Sequence, residues 1–350
     1  MRANPADARA PYYLGNFWYA HRRYAEAIAC WEQARALDPQ FATTHRNLGL
    51  AYFNKLREPQ RAHDAYSTAF ALNPDDARVL YELDQLAKKL NHAPAQRLAA
   101  LERQRELVDR RDDLTIEYIT LLNTLGRPGE AYAALMRRNF HPWEGGEGRT
   151  TGQYVISLTE QARAQIGAGE HAAAADLLGR ARAFPHNLGE GKLPNAQENN
   201  VTYYLGLAYA GMGDHERARE YFGQAATGLS EPTSAVYYND QPPDMIFYQG
   251  LARRQLGQAQ AADEIFQKLV DYGRAHLDDD VQIDYFAVSL PTFLVFDEDL
   301  SLRNRIHCHY MIGLGQLGLG QHMAARASFE QVLALDANHQ GAILHAGLIL

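Results

Sequence analysis

The chain has 350 residues, 46% of them apolar and 22% charged, and a formal net charge of −8. That is enough apolar material for a large core, and an acidic balance without any basic block argues against nucleic acid as a partner. Positive charge is almost all arginine, with Lys55, Lys88, Lys89, Lys192 and Lys268 the lysines.

The chain opens Met-Arg-Ala-Asn-Pro-Ala-Asp, with no apolar core for a signal peptide. Pro5 stands one 34-residue period before Pro39, so the first residues read as the tail of a preceding unit and the chain as starting inside an array. Leu14, Gly15, Trp18, Ala27, Trp31, Ala34 and Pro39 mark a first full helical pair. Leu48, Gly49, Tyr52, Ala62, Tyr66, Ala69 and Pro74 repeat it, one residue longer through the turn around Pro59. The pattern then weakens: 76–111 still gives two amphipathic helices, but Asp84 holds the glycine position. A pair at 114–138 turns at Gly126-Arg-Pro-Gly. The stretch 139–150 is a glycine-rich crossover loop, because glycine costs ~1 kcal/mol against alanine inside a helix. A fifth pair fills 151–183, and a polar loop follows at 185–200.

Residues 201–228 give the clearest unit. Leu205, Gly206 and Tyr209 share one helical face, Gly213-Asp214 breaks the pattern, and Ala218, Phe222 and Ala225 line the second helix. Gly206 and Ala218 permit close backbone approach while Tyr209 and Phe222 fill the adjoining space. A pair at 244–273, an irregular segment at 274–302 and a final unit at 303–337 complete the chain, closed by a helix from Asn338. The apolar run 285–296, broken by Pro291, is too short to span a bilayer. The period and the small/aromatic positions resemble the tetratricopeptide repeat (TPR), ~34 residues long. The expected fold is therefore all-α, a right-handed α-solenoid of about eight TPR-like hairpins with irregular insert loops. The expected organisation is 1–138 as N-terminal units, 139–150 as crossover and 151–350 as C-terminal units.

Four segments carry a narrower resemblance: Phe140-His-Pro-Trp-Glu-Gly-Gly-Glu-Gly148, Asp284-Tyr-Phe-Ala-Val-Ser-Leu-Pro291, Arg303-Asn-Arg-Ile-His307 and Asn338-His-Gln-Gly-Ala342. Together they resemble the C-terminal TPR region of large bacterial proteins whose preceding β-rich part is carbohydrate-related, with a mutarotase-like sandwich. Thr292 and Ala337 depart from that family's pattern. The resemblance implies that catalysis would lie in an upstream part, and that this region is an accessory scaffold.

No coherent catalytic, metal or cofactor motif is expected, so the chain alone reads as a non-enzyme. Gly313-Leu-Gly-Gln-Leu-Gly318 spells GxGxxG, yet the phosphate reading needs a strand before it, and here the context is helical with Gly313 at the repeat glycine position. His307, Cys308, His309 and His322 lack the one-face spacing of helical metal ligands. Asp278-Asp-Asp280 and Asp297-Glu-Asp299 lack the calcium-loop pattern, and loop or N-cap roles suffice. Asn200-Val-Thr202 is a sequon without meaning in a cytoplasmic bacterial protein. Cys30 and Cys308, far apart and each in a helical pattern, are expected as buried free thiols in a reducing compartment.

Binding is the more informative question. Tyr12, Tyr81, Tyr203, Phe247 and Tyr310 fall at one first-helix position in their units, an aromatic stripe able to hold an extended peptide or a sugar ring, or simply to pack between helices. Asn16 and Asn47 match two positions of a carboxylate clamp and Arg78 gives one cation, but Tyr12 and Glu82 stand where further cations belong, which argues against that partner class. The loop offers His141, Trp143, Glu144 and Glu147 as one ring face and polar groups for sugar hydroxyls or an interface arginine. The same residues would also serve a rigid plug anchored by Trp143. The expected partner is a protein or the chain's own upstream domain, with a saccharide as the alternative.

Overall fold

The computed structural model describes residues 6–143, 145–234, 242–281 and 295–349. Among them the regular structure is helical and no strand occurs. Eight hairpins follow one another. The first three are α1 (Arg9–Ala20) with α2 (Tyr24–Leu37), α3 (Ala42–Ala51) with α4 (Pro59–Leu72), and α5 (Ala77–Lys89) with α6 (Pro94–Glu102). After the short α7 (Arg105–Val108) come α8 (Asp112–Thr124) with α9 (Pro128–Met136) and α10 (Arg149–Gly167) with α11 (His171–Ala181). The last three are α12 (Asn199–Gly211) with α13 (His215–Ala225), α14 (Pro243–Gln255) with α15 (Ala259–His276), and α16 (Leu300–Gly318) with α17 (His322–Leu335). Helix α18 (Gln340–Ala346) closes the chain.

One device makes every hairpin turn. Each places a single residue in the left-handed region: Arg22, Arg57 and Asn91 in the first three, Gly126, Gly169, Gly213, Gly257 and Gly320 in the others. The following amide then reaches back over the helix end, as Asp214 N–H does to Tyr209 O at 3.0 Å, answering a carbonyl the helix leaves open. Seven turns span five residues in this way, and the second spans six, Glu58 N–H to Tyr52 O at 2.9 Å. The extra residue of that unit is therefore not in the turn at Pro59. It is absorbed as a π-helical turn, Tyr52–Leu56, continuing α3.

A second device sets how closely paired helices approach. A glycine on the first helix receives an aromatic ring from the second: Gly15 takes Trp31, Gly49 Tyr66, Gly206 Phe222, Gly250 Phe266 and Gly313 Phe329. A Cβ at Gly49 would stand 2.6 Å from Tyr66 Cδ2, and one at Gly206 2.5 Å from Phe222 Cδ1, so no larger residue fits without moving a buried ring. The rings are buried accordingly. In the third hairpin Asp84 holds the glycine position, and Arg97 from α6 meets it: Nε lies 3.0 Å from Oδ1 and the NH2 group 2.5 Å from Oδ2, with both side chains almost wholly enclosed.

The GxGxxG is part of the same packing. Gly313 faces Phe329, Gly315 faces the backbone of Phe266, and Gly318 faces the Phe266 ring, all within α16. Cys308 is buried and Cys30 only half-buried; both thiols are free. Among the described residues no helix is long and apolar enough to cross a membrane. Two compact units result. Unit 1 holds the described residues through Thr115 together with 295–298; unit 2 holds the others. The apolar run 285–296 and Pro5 fall largely or wholly outside the described residues.

Candidate functional site

Unit 1 carries a clasp built on the π-helical turn. Asn54 is almost fully buried and makes two backbone bonds to one short, bent stretch: its Nδ2 donates to Val295 O at 3.0 Å, and Asp297 N–H donates to its Oδ1 at 2.9 Å. One amide thus answers a carbonyl and an amide two residues apart. Between those bonds Phe296, 2% exposed, enters an aromatic slot. Its centroid is 4.9 Å from Phe53 and 5.7 Å from Tyr66, both edge-on. Lys55 and Arg57 each stand 3.7 Å from the Asp297 carboxylate, and Lys89 stands 3.6 Å from that of Glu298. These pairs are partly exposed, so burial of Phe296, roughly 2–3 kcal/mol for such a ring, outweighs each of them.

The carboxylate-clamp residues of unit 1 answer one another. Glu82, 1% exposed, accepts from Arg46 at 2.6 and 2.5 Å, from Arg78 Nε at 2.9 Å and from Tyr66 OH at 3.1 Å. An internal carboxylate therefore already holds the cations that a partner's terminus would need. Asn16 Oδ1 accepts from Trp31 Nε1 at 3.1 Å and from Asn47 Nδ2 at 3.0 Å, an amide chain between the first two hairpins.

The aromatic stripe divides. Tyr12 is half-buried, 4.8 Å from the Phe41 ring, and the Arg111 guanidinium lies over half-buried Tyr81. Tyr203 and Phe247 are buried: Tyr203 packs on Phe222 and Tyr248, and Phe247 on Phe266 and the His345 ring. Tyr310 lines a cavity.

That cavity, about 340 Å³, lies in unit 2. Its walls come from the first helices α10, α12, α14 and α16, which pack in succession, and from α18. Helical spacing puts the polar groups on one side: Glu160 and Arg163 on α10, Asp244 and Tyr248 on α14, His307 and Tyr310 on α16. Arg163 is committed to Glu160, whose oxygens it meets at 2.8 and 2.6 Å. Tyr310 OH sits 3.1 Å from His345 Nδ1, and a Cβ at Gly341 would lie 2.6 Å from that hydroxyl. His345 Nδ1–H donates to Gly341 O at 2.8 Å, which leaves Nε2 as the acceptor; it is buried without a hydrogen-bond partner among the described residues.

Burial dominates the protonation of this wall. It raises the Asp244 carboxyl to about 6, against the pull of the Asp244 and Met245 amides, and lowers His345 to about 4, so that imidazole is neutral. His307 is lowered by burial despite its bond to Thr233 O. Tyr248 is raised first by burial, then by Tyr204, whose hydroxyl lies 3.3 Å from its own, and least by the Asp244 charge; Tyr310 is raised by burial and then by Asp244.

The glycine-rich loop does not line this cavity. His141 and Glu147 are exposed, Trp143 is half-buried over Gly146, and Glu144 lies outside the described residues. The loop is tied instead to 186–190: Phe140 N–H donates to Asn187 O at 2.7 Å, and Gly148 N–H to Glu190 at 3.0 Å. Of the acidic runs, Asp297 and Glu298 serve the clasp, and Asp299 caps α16 by accepting from Leu302 N–H at 2.9 Å. Among the described residues no group of His, Cys, Asp and Glu side chains is placed to hold a metal.

Turns, glycine–aromatic seats and paired helices define an all-α helical-repeat protein. More narrowly, the chain carries tetratricopeptide repeats. A family model described as TPR repeat matches residues 15–55, and one described as tetratricopeptide repeat matches 201–227 and 244–272. Among solved structures the chain is similar to YrrB, described as a TPR protein with an unusual peptide-binding site, at 18% identity over 64% of this chain and 87% of that one, TM-score 0.34. It is similar to MamA at 16% identity over 63% and 90%, TM-score 0.32. A tetratricopeptide repeat protein from Parabacteroides merdae ATCC 43184 is 17% identical over 72% and 86%, TM-score 0.34.

Several residues with chemistry in these sites carry no repeat signal. Asn54 and Val295 are 241 positions apart, and Asp244 and His345 belong to different helices. The available hint lay in the segments 303–307 and 338–342, since His307, His339 and Gln340 line the cavity.

Proposed function

We propose that the chain is a TPR scaffold for protein–protein or domain–domain contact, and that unit 1 reads a short stretch with an aromatic residue followed by acidic ones. The clasp on 295–298 carries this reading. Asn54 addresses backbone alone and so sets no side-chain requirement, whereas the Phe53–Tyr66 slot and Lys55, Arg57 and Lys89 select side chains. In the described structure the occupant is the chain's own Val295-Phe-Asp-Glu298. The setting proposed is that of an accessory, cytoplasmic part of a larger bacterial protein, where a partner or an upstream domain presents a similar stretch.

The test is a labelled peptide Val-Phe-Asp-Glu-Asp-Leu titrated by fluorescence anisotropy. It is expected to bind the Phe296→Ala chain at least tenfold more tightly than the unaltered chain, whose slot is filled. Adding Asn54→Ala to Phe296→Ala should abolish the gain. Equal binding to all three chains defeats the proposal.

A second reading makes unit 2 one wall of a carbohydrate-active site, with the glycine-rich loop and its Trp143 beside the contact surface. The carboxyls of Glu160 and Asp244 and the phenols of Tyr248 and Tyr310 around one cavity favour it. Assaying the chain with and without the upstream gene segment for glycoside turnover and mutual binding separates the readings. Turnover by the repeats alone removes the scaffold reading.

A further inference from the structure

The cavity of unit 2 has a charge imbalance that points to one ligand chemistry. Its lining cation, Arg163, is neutralised in place by Glu160 on the same helix. Asp244 has no such ionic partner among the described residues: it lines the cavity from the first turn of α14, partly buried, where the Asp244 and Met245 amides act on its carboxyl. Tyr248, one turn along α14, and Tyr310, from α16, are the phenols close enough to feel its charge. Two of the lining histidines, His307 and His345, are lowered by burial and so add no positive charge at neutral pH. His345 also keeps a buried acceptor, Nε2, with no donor among the described residues. An anion would meet an unbalanced carboxylate and an arginine already bound. A neutral polyol would leave the carboxylate desolvated and uncompensated. A cation answers it, and phenol oxygens beside a carboxylate can accept from an ammonium.

We propose that this cavity binds a small organic cation, with its ammonium against the Asp244 carboxylate beside Tyr248 and Tyr310. About 340 Å³ is room for an alkylamine the size of a lysine side chain. The site goes beyond the scaffold reading and is independent of the clasp in unit 1. The cation could arrive as a free amine or as a lysine of a peptide; both present the same head group.

Calorimetric titration of the full chain tests this with cadaverine, lysine amide, N-acetyl-lysine amide and the pentapeptide Gly-Gly-Lys-Gly-Gly, with glucose and butyrate alongside. Lysine amide is expected to bind at least tenfold more tightly than its acetylated, uncharged counterpart, a contrast that needs no variant to fold. Stronger binding of cadaverine than of the pentapeptide assigns the site to free amines, and the reverse order to a protein lysine. Asp244→Asn, checked by circular dichroism for retained helix, should weaken the favoured amine at least tenfold. Binding should also weaken about tenfold from pH 7.5 to pH 5, as Asp244 takes up its proton among Glu160, Arg163, His307, His339, His345 and the two tyrosines. Glucose binding with no amine binding overturns the proposal and supports the carbohydrate reading. Equal affinity for lysine amide and its acetylated form, or saturation by none of the probes at 10 mM (about a −2.7 kcal/mol floor), also overturns it.

Discussion

Unit 1 and unit 2 are built from the same hairpin and both pair buried acids with arginines, as Glu117 with Arg149 in unit 2, but the cavity wall of unit 2 also holds titratable groups governed by burial. In unit 1 charge is answered by charge: Glu82 gathers Arg46 and Arg78, and Asp84 is enclosed with Arg97. In unit 2 the cavity wall is quieted by burial, which raises Asp244 and lowers His345 until each is closer to neutral. Pairing fixes a geometry and commits it, and unit 1 accordingly spends its recognition surface on a segment of its own chain. Desolvation leaves groups whose protonation responds to whatever enters. The lesson is that a repeat fold supplies spacing, and the chemistry depends on which helical positions depart from the repeat.

The comparison breaks most sharply at Asp84. Arg97→Met should cost unit 1 about 3–5 kcal/mol, because it removes the enclosed guanidinium that meets both oxygens of the buried Asp84 carboxylate. The double change Asp84→Leu with Arg97→Met should restore most of that loss, since apolar replacements of a buried pair are often neutral. Urea unfolding of the three chains measures both. A small loss for the single change would mean that solvent reaches Asp84.

In unit 2 the same question is put by pH. Asp244 has an ordinary value of 3.8 and a folded value of about 6, so the folded chain holds an extra proton between them. Its contribution is full below 3.8 and is lost as pH rises through 6. His345 runs from 6.5 down to about 4, so the folded chain refuses a proton there, and stability falls as pH drops through that window. From pH 4 to 6 the slopes oppose, and the unaltered chain should be nearly flat. Asp244→Asn should expose the histidine slope, a loss of about 3 kcal/mol from pH 6.5 to 4. His345→Gln should expose the carboxyl slope, a similar loss from pH 4 to 6. Parallel curves for all three chains would show that neither group is desolvated.

How much of this is legible in the sequence follows from range. The glycine–aromatic seats at Gly15, Gly49, Gly206 and Gly313 are local patterns, and the period places them without reference to anything distant. The extra residue before Pro59 is legible as a length, but neither its π-helical turn nor the bond from Asn54 to Val295 is written in the period. Asp84 is visible as a departure from glycine, yet nothing periodic points to Arg97. The cavity takes residues from five helices between Ile156 and His345, so no window contains it. Trp143 stood out by composition, and the structure seats it on Gly146, within its own loop, away from the cavity.

The smallest effect separates the units at their turns. Unit 1 places Arg22, Arg57 and Asn91 in the left-handed region, where unit 2 places glycine. A side chain there costs roughly 1–2 kcal/mol of backbone strain, part of which glycine gives back through its freer unfolded chain. Arg22→Gly should therefore raise stability by about 0.5 kcal/mol, and Asn91→Gly by less, since asparagine visits this region more readily. The reverse change is the cleaner measurement. A Cβ at Gly213 would meet no atom within 4 Å, so Gly213→Ala tests the backbone alone. A loss of about 1 kcal/mol is expected there, and less for Gly213→Asn, read as shifts in thermal midpoint against the unaltered chain. If alanine and asparagine cost the same, the strain lies in something other than the left-handed backbone, and the contrast between the two sets of turns loses its physical basis.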